Sequence, residues 1–164
     1  DVTAGVEISR LALLRLEFRL TGDLSLVEVP PPAAGERADR LWERTCFEAF
    51  VAQASGERYV ELNFSPSTDW AAYSFEGYRL GMRPLDLAEA PVVRVEREAR
   101  VLAVTASVYL TAALSGGWPW RIGLATVVAD ASGLASHWAL AHRRSKPDFH
   151  DAAGWTITLE GKVS

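Results

Sequence analysis

The chain has 164 residues, enough for one domain that buries roughly 70% of the surface its unfolded form exposes. Hydrophobic residues make up 49% and charged residues 23%, which excludes disorder, and 17 Lys+Arg against 21 Asp+Glu leave a net charge of −4. There is no basic footprint for nucleic acid or an anionic membrane surface, and no apolar stretch approaches the ~20 residues of a membrane span.

Ser9 to Leu20 alternates, with Ala12, Leu14, Leu16, Phe18 and Leu20 on one parity and Arg15, Glu17 and Arg19 on the other, which predicts a half-buried strand. A short apolar run follows from Leu24 to Val29. Pro30-Pro31-Pro32 and the stretch from Ala33 to Arg40 predict a loop with at most a helical turn. Trp42 to Gln53 and Tyr59 to Ser65 read as two strands joined at Ser55-Gly56-Glu57. Trp70 to Phe75 reads as the next strand, Tyr78 to Met82 as an edge strand after the Glu76-Gly77 turn, and Arg83 to Ala90 as a connection. Val92 to Arg97 and Arg100 to Thr111 predict a further hairpin, with Leu102, Val104, Ala106, Val108 and Leu110 pointing one way. After a loop opened by Ser115-Gly116-Gly117, strands are expected at Arg121 to Ala129, Ser136 to Ala141 and Trp155 to Leu159. About ten short strands and no long helix predict an all-β chain, an antiparallel β-sandwich of the jelly-roll or immunoglobulin-like kind, with residues 1–164 as a single domain.

Cys46 is the only cysteine, so no intrachain disulfide or multi-cysteine metal site exists; it lies in an apolar run and reads as a buried, inert thiol. A lone thiol and the lack of a charged-then-apolar pattern over Asp1 to Gly5 predict a cytoplasmic setting. Neither a Gly-rich phosphate loop nor a Gly-x-Ser-x-Gly elbow occurs. His137, His142 and His150 crowd together with Asp148 and Asp151, which invites a metal reading. On one strand, however, His137 and His142 face opposite sides, so no metal site is expected.

Glu48 shares its parity with Cys46 and Phe50, and Glu61 shares its own with Tyr59, Asn63 and Ser65. A carboxylate in the middle of an apolar strand is costly unless bonded, so each lines either a solvated face or a ligand site. Six Trp exceed what a core of this size needs, and Trp42, Trp70, Trp118, Trp120 and Trp138, with Tyr73 and Tyr78, sit at strand ends or beside loops where rings can stack on a sugar. Met82 and a histidine admit another reading, as the axial pair of a haem iron.

The blocks Leu41-Trp42-Glu43-Arg44-Thr45-Cys46-Phe47-Glu48-Ala49-Phe50, Tyr59-Val60-Glu61-Leu62-Asn63-Phe64-Ser65-Pro66-Ser67, Trp70-Ala71-Ala72-Tyr73 and Tyr78-Arg79-Leu80-Gly81-Met82 resemble a known family, the bacterial DOMON-like proteins. Trp138-Ala139-Leu140-Ala141-His142 and Lys146-Pro147-Asp148-Phe149-His150 fit the same group, which is related to type 9 carbohydrate-binding modules. The resemblance spans most of the chain and implies a ligand-binding β-sandwich, sugar and haem being the two ligand classes of the wider superfamily. It sets the Glu48 strand and the Tyr59-x-Glu61 strand beside the ligand face, with Trp42 and Arg79 as looser matches. The haem-binding relatives use a Met and a His, for which Met82 and His142 are the candidates.

The expectation is a non-catalytic module for a small saccharide or sugar derivative. Trp42, Trp70 and Trp138 are its candidate stacking groups, and Glu48, Glu61, Asn63 and Arg79 its candidate partners for hydroxyls, with His142 nearby. Haem binding, and a protein-interaction role without a small ligand, are the alternatives. A hydrolase or lyase built on Glu48, His142 and Asp148 has no motif behind it.

Overall fold

The computed structural model describes residues 1–9, 13–110, 118–143 and 145–160. Eleven strands occur among these residues: β1 (Val2–Ile8), β2 (Leu13–Thr21), β3 (Cys46–Gln53), β4 (Tyr59–Phe64), β5 (Trp70–Phe75), β6 (Arg83–Pro84), β7 (Val92–Arg97), β8 (Val101–Tyr109), β9 (Trp120–Ala129), β10 (Ala135–Ala139) and β11 (Ile157–Leu159). They form two antiparallel sheets, one ordered β1-β2-β8-β7 and the other β10-β9-β3-β4-β5-β6, with β11 also on β9. The expected β-sandwich is what the chain adopts.

Alternation builds the first sheet. Leu14, Leu16, Phe18 and Leu20 of β2 pair with Val108, Ala106, Val104 and Leu102 of β8 and turn inward together, leaving Arg15, Glu17 and Arg19 in solvent. From the second sheet Phe47, Ala49 and Val51, Val60, Leu62 and Phe64, and Ile122 and Leu124 meet them. The Phe18 and Phe47 rings bridge the two layers with centroids 5.3 Å apart, and burying each such side chain contributes about 1.5–3 kcal/mol.

The second sheet is buried on both sides. Every residue of β4 and all but Gln53 of β3 are buried, so these strands show no simple in-out contrast. The reason lies at the β9 edge. β10 occupies one end of that edge (Ala139 opposite Ala125) and β11 the other (Ile157 opposite Ile122). The described residues between them, 140–143 and 145–156, leave the sheet and return to the same strand. This excursion packs on the face of the sheet that points away from the sandwich core, where Phe50, Ala52, Tyr59, Ala71, Tyr73, Phe75, Ala125 and Trp155 form a second apolar cluster.

Several expectations need correction. β1 was not anticipated: Val2–Ile8 carries Ala4 and Gly5 in its middle, which blurs the polar contrast, yet it pairs with β2 along its whole length. The edge strand expected at Tyr78 to Met82 is a turn closed by a Gly77–Leu80 bridge, because Arg79 (φ 55°) and Gly81 (φ 65°) are left-handed; Arg83–Pro84 takes the edge instead. The run from Leu24 to Val29 begins as a 3-10 helix over Leu24–Leu26, capped by the Asp23 carboxylate. The loop expected at Ser115-Gly116-Gly117 lies outside the described residues.

Candidate functional site

The covered face of the second sheet is a floor and the 140–156 excursion is its roof. Trp155 fixes the roof. Its ring lies against Gly123 of β9, stacks on Phe50 with centroids 5.8 Å apart, and meets Tyr59 edge-on at 5.2 Å. A Cβ on residue 123 would stand 2.1 Å from Trp155 Cδ1, so the strand needs glycine there to let the ring approach. The indole N–H donates to the Phe149 carbonyl at 2.8 Å, which ties the two aromatic residues of the roof together.

Between floor and roof opens a cleft of about 370 Å³. Its apolar walls are Trp42, Phe75, Phe149, Val127, Pro147 and Met82; its polar groups are Glu48, Glu61, Arg79, His137 and His150. Trp42 arrives on a 3-10 helix, Leu41–Glu43, entered through a left-handed Arg40 whose guanidinium bonds Glu43. Its ring meets Tyr73 edge-on at 5.7 Å, and Tyr73 is itself held by donating to Asp39 Oδ1 at 2.6 Å.

The floor carboxylates come from neighbouring strands. Glu48 pairs across the ladder with Asn63, and Glu61 with Phe50, so the two are diagonal neighbours on one face. Both are nearly inaccessible, Glu48 at 3% and Glu61 at 4% exposure. Glu61 accepts from Asn63 Nδ2 at 2.8 Å and faces His150 Nε2 at 3.6 Å. Glu48 Oε1 has no hydrogen-bond partner. Burial pushes both carboxyls above the usual carboxylate range; Glu61 pushes Glu48 further up, while Asn63 and Arg79 pull Glu61 back down.

One latch holds the roof over this floor. The Asp148 carboxylate accepts from Tyr78 Oη, from Arg79 Nη2 at 2.9 Å and from the His150 backbone N–H at 3.2 Å. Burial works to raise the Asp148 carboxyl, but the Tyr78 and Arg79 hydrogen bonds outweigh it and hold it below its ordinary value. The Arg79 N–H donates to Tyr59 Oη at 3.2 Å, so the left-handed turn that aims the guanidinium at Asp148 is also pinned to the floor.

Of the residues expected at a site, the structure brings Trp42, Glu48, Glu61 and Arg79 to one cleft. Asn63 lies beneath it as the hydrogen-bond donor to Glu61 and is fully buried. Trp70 belongs to the inter-sheet core on the other face of β5, with the Arg37 guanidinium 4.9 Å from its ring centre. Trp138 has the opposite parity to His137 and donates to Ser136 Oγ, outside the cleft lining. His142 is exposed and also outside the lining, beside Phe149 at 6.3 Å. The axial pair Met82–His142 is therefore not assembled in the cleft; Met82 shares it with His137 and with His150, whose two ring nitrogens face Tyr59 and Glu61. Among the described residues no group of three or more His, Cys, Asp or Glu is placed to hold a metal ion.

Sequence reasoning missed Phe75 and Phe149, and it singled out His137, His150 and Asp148 as a metal-like group, with Asp148 also a catalytic candidate, without placing them at the cleft. The available signal was Asp148 between Pro147 and Phe149, a carboxylate among ring residues in a segment with no strand pattern. A larger groove of about 760 Å³ on the outer face of the first sheet is lined by Arg15, Glu17, Arg94 and Thr105 among others. These four side chains are exposed, so volume alone does not distinguish that groove.

No protein-family model matches the sequence, and no curated protein does. The fold is shared with a protein from Bacteroides uniformis whose provisional description is carbohydrate-binding: 13% identity, TM-score 0.71, covering 98% of this chain and 78% of that one. Two structures of a family 9 carbohydrate-binding module from Caldicellulosiruptor kristjanssonii, one with glucose and one with cellotriose, align at TM-scores of 0.45 and 0.48. Their identities are 10% and 12%, and in both 84% of this chain covers 64% of the other.

Proposed function

We propose that the cleft binds a small saccharide without transforming it, and that residues 1–164 form one DOMON-like domain akin to the type 9 carbohydrate-binding modules. The observation that carries the reading is the juxtaposition, within one cleft of about 370 Å³, of aromatic side chains from Trp42, Phe75 and Phe149 with the buried carboxyls of Glu48 and Glu61. A sugar presents a C–H face and a rim of hydroxyls, and it needs both kinds of surface at once. The description of the Bacteroides uniformis protein that shares the fold supports the same reading.

In this reading Glu48 and Glu61, diagonal neighbours on one floor, bond the hydroxyls of the sugar and take no part in proton transfer to it.

Titration of tryptophan fluorescence against hexoses, amino hexoses, disaccharides and haemin tests the proposal. Saturable binding of a sugar is expected, abolished by Phe149→Ala and by Glu61→Gln and kept by Trp70→Phe. Sugar binding that survives both cleft variants, or a response to haemin alone, overturns it.

A further inference from the structure

On the reading that the cleft takes a saccharide, we infer that its ligand is an ammonium-bearing sugar, an amino hexose with a free amine, whose charged nitrogen sits over Glu48 and Glu61. The argument starts from the charges around the cleft. Arg79 is the one arginine in the lining, and its charge is matched by Asp148 at 2.9 Å, a carboxylate that also takes the Tyr78 hydroxyl. His150 is held neutral: burial and the Arg79 charge carry its ring down to about 4, against the pull of Asp148. Tyr59 stays protonated, pushed up to about 12 mainly by burial, and the Cys46 thiol below Asn63 is likewise pushed up by burial. Tyr73 is turned away toward Asp39. His137 enters from β10 at the exposed margin. Two carboxylates on the floor thus face a cleft whose guanidinium is already matched and whose inner histidine is neutral.

Their hydrogen bonds differ in a way that locates the deficit. Glu61 has Asn63 and His150 as neighbours, whereas Glu48, at 3% exposure, has an oxygen with no donor. A neutral hydroxyl supplies a hydrogen bond but leaves the Glu48 proton in place. An ammonium supplies three N–H donors and a charge that lets both carboxyls ionise, in a setting where charge-assisted bonds are strongest. The walls suit the same group, since aromatic rings from Trp42, Phe75 and Phe149 line the cleft and a desolvated cation is attracted to such rings. Burial, with repulsion from Glu61 added to it, raises the Glu48 carboxyl in the empty cleft, so a cation bound beside it should drive it to ionise and release its proton.

Calorimetry with glucosamine, galactosamine and mannosamine, against their parent hexoses and N-acetylglucosamine, near pH 6.5 tests the inference. At least one amino hexose is expected to bind about tenfold or more tighter than its parent and its acetylated form. Across buffers of different ionisation enthalpy its binding should release protons, whereas neutral sugars should release none. Glu48→Gln should cost the amino hexose about tenfold or more in affinity, a larger loss than its parent suffers, and should abolish the proton release. Equal affinities for amino and neutral hexoses, without proton release, overturn the ammonium inference and leave the saccharide reading standing. No saturable binding of any hexose, charged or neutral, overturns both. The proton count on the unaltered protein needs no variant to fold.

Discussion

Tyr59 Oη and His150 Nδ1 lie 2.7 Å apart, and this contact joins the floor of the cleft to its roof. The Tyr59 oxygen also accepts from the Arg79 N–H, and Glu61 Oε2, 3.6 Å from Nε2, favours the tautomer with its hydrogen on Nε2, in which Nδ1 accepts from the Tyr59 hydroxyl. Burial keeps that imidazole neutral.

A first prediction concerns pH. His150 has a folded value of about 4 against 6.5 in an open chain, so between these limits the unfolded state binds more protons. Its share of stability is fully present above pH 6.5 and is lost as pH falls toward 4. The full shift corresponds to at most about 3 kcal/mol. Denaturant midpoints measured at several pH values should show a slope in this window that His150→Gln flattens. An identical slope in the variant would falsify the assignment.

Glu48 and Glu61 act in the opposite sense. Their folded values lie above the open-chain value of 4.5, so the folded state holds extra protons and stability falls as pH rises from 4.5 toward those folded values. Glu48→Gln removes one of these groups and the repulsion it feels from Glu61. The variant should be more stable than the parent at pH 7, by about 1–2 kcal/mol, with the gain shrinking below pH 4.5. A variant less stable at pH 7 would show that Glu48 has a structural partner.

The latch can be weakened without touching the floor. Asp148→Asn keeps the shape but removes the charge that holds Arg79 and Tyr78. Because the Arg79 side chain is more than half exposed, the effect on global stability should stay below about 1 kcal/mol. Ligand affinity should fall about three- to tenfold, since Phe149 and His150 lose their anchor. Unchanged affinity in the calorimeter would separate the roof's position from the latch.

Gly123→Ala places a methyl group 2.1 Å from Trp155 Cδ1, so the ring must move. Overpacking of this kind costs about 1–3 kcal/mol. The denaturation midpoint should drop, and the near-ultraviolet circular dichroism of the tryptophans should change as Trp155 withdraws. A stable variant with an unaltered spectrum would mean that the ring does not sit on the strand as described.

How much of this the sequence carried depends on which face a residue occupies. β2 and β8 were legible because one side is wet, so Leu16 beside Arg15 and Glu17 states its own direction. β3 and β4 were legible as strands with Glu48 and Glu61 at known parity in each, and the register Glu48–Asn63 is what puts the two carboxyls on one face. Which face that is depends on residues 140–156, whose own chain shows no period. Trp70 illustrates the ambiguity: a tryptophan opening a strand suits a stacking platform or a core equally well, and only the pairing Trp70–Phe64 sets it inward. Phe149 and His150 escaped because neither lies in a strand. Their positions come from Asp148 and Trp155, through contacts with residues about 70 to 90 positions earlier in the chain.

The return of residues 140–156 to the strand they left separates two kinds of information in this chain. The paired strands and the inter-sheet core hold the molecule together, while the excursion supplies Pro147, Phe149 and His150 to the cleft and touches the framework mainly through Gly123, Phe50 and Asp148's partners. Both of its ends are spliced into β9, so a rewritten excursion that kept Trp155 and Asp148 would inherit the same two attachment points. Selectivity for one ligand over another can therefore drift quickly along this stretch while the scaffold beneath it stays fixed.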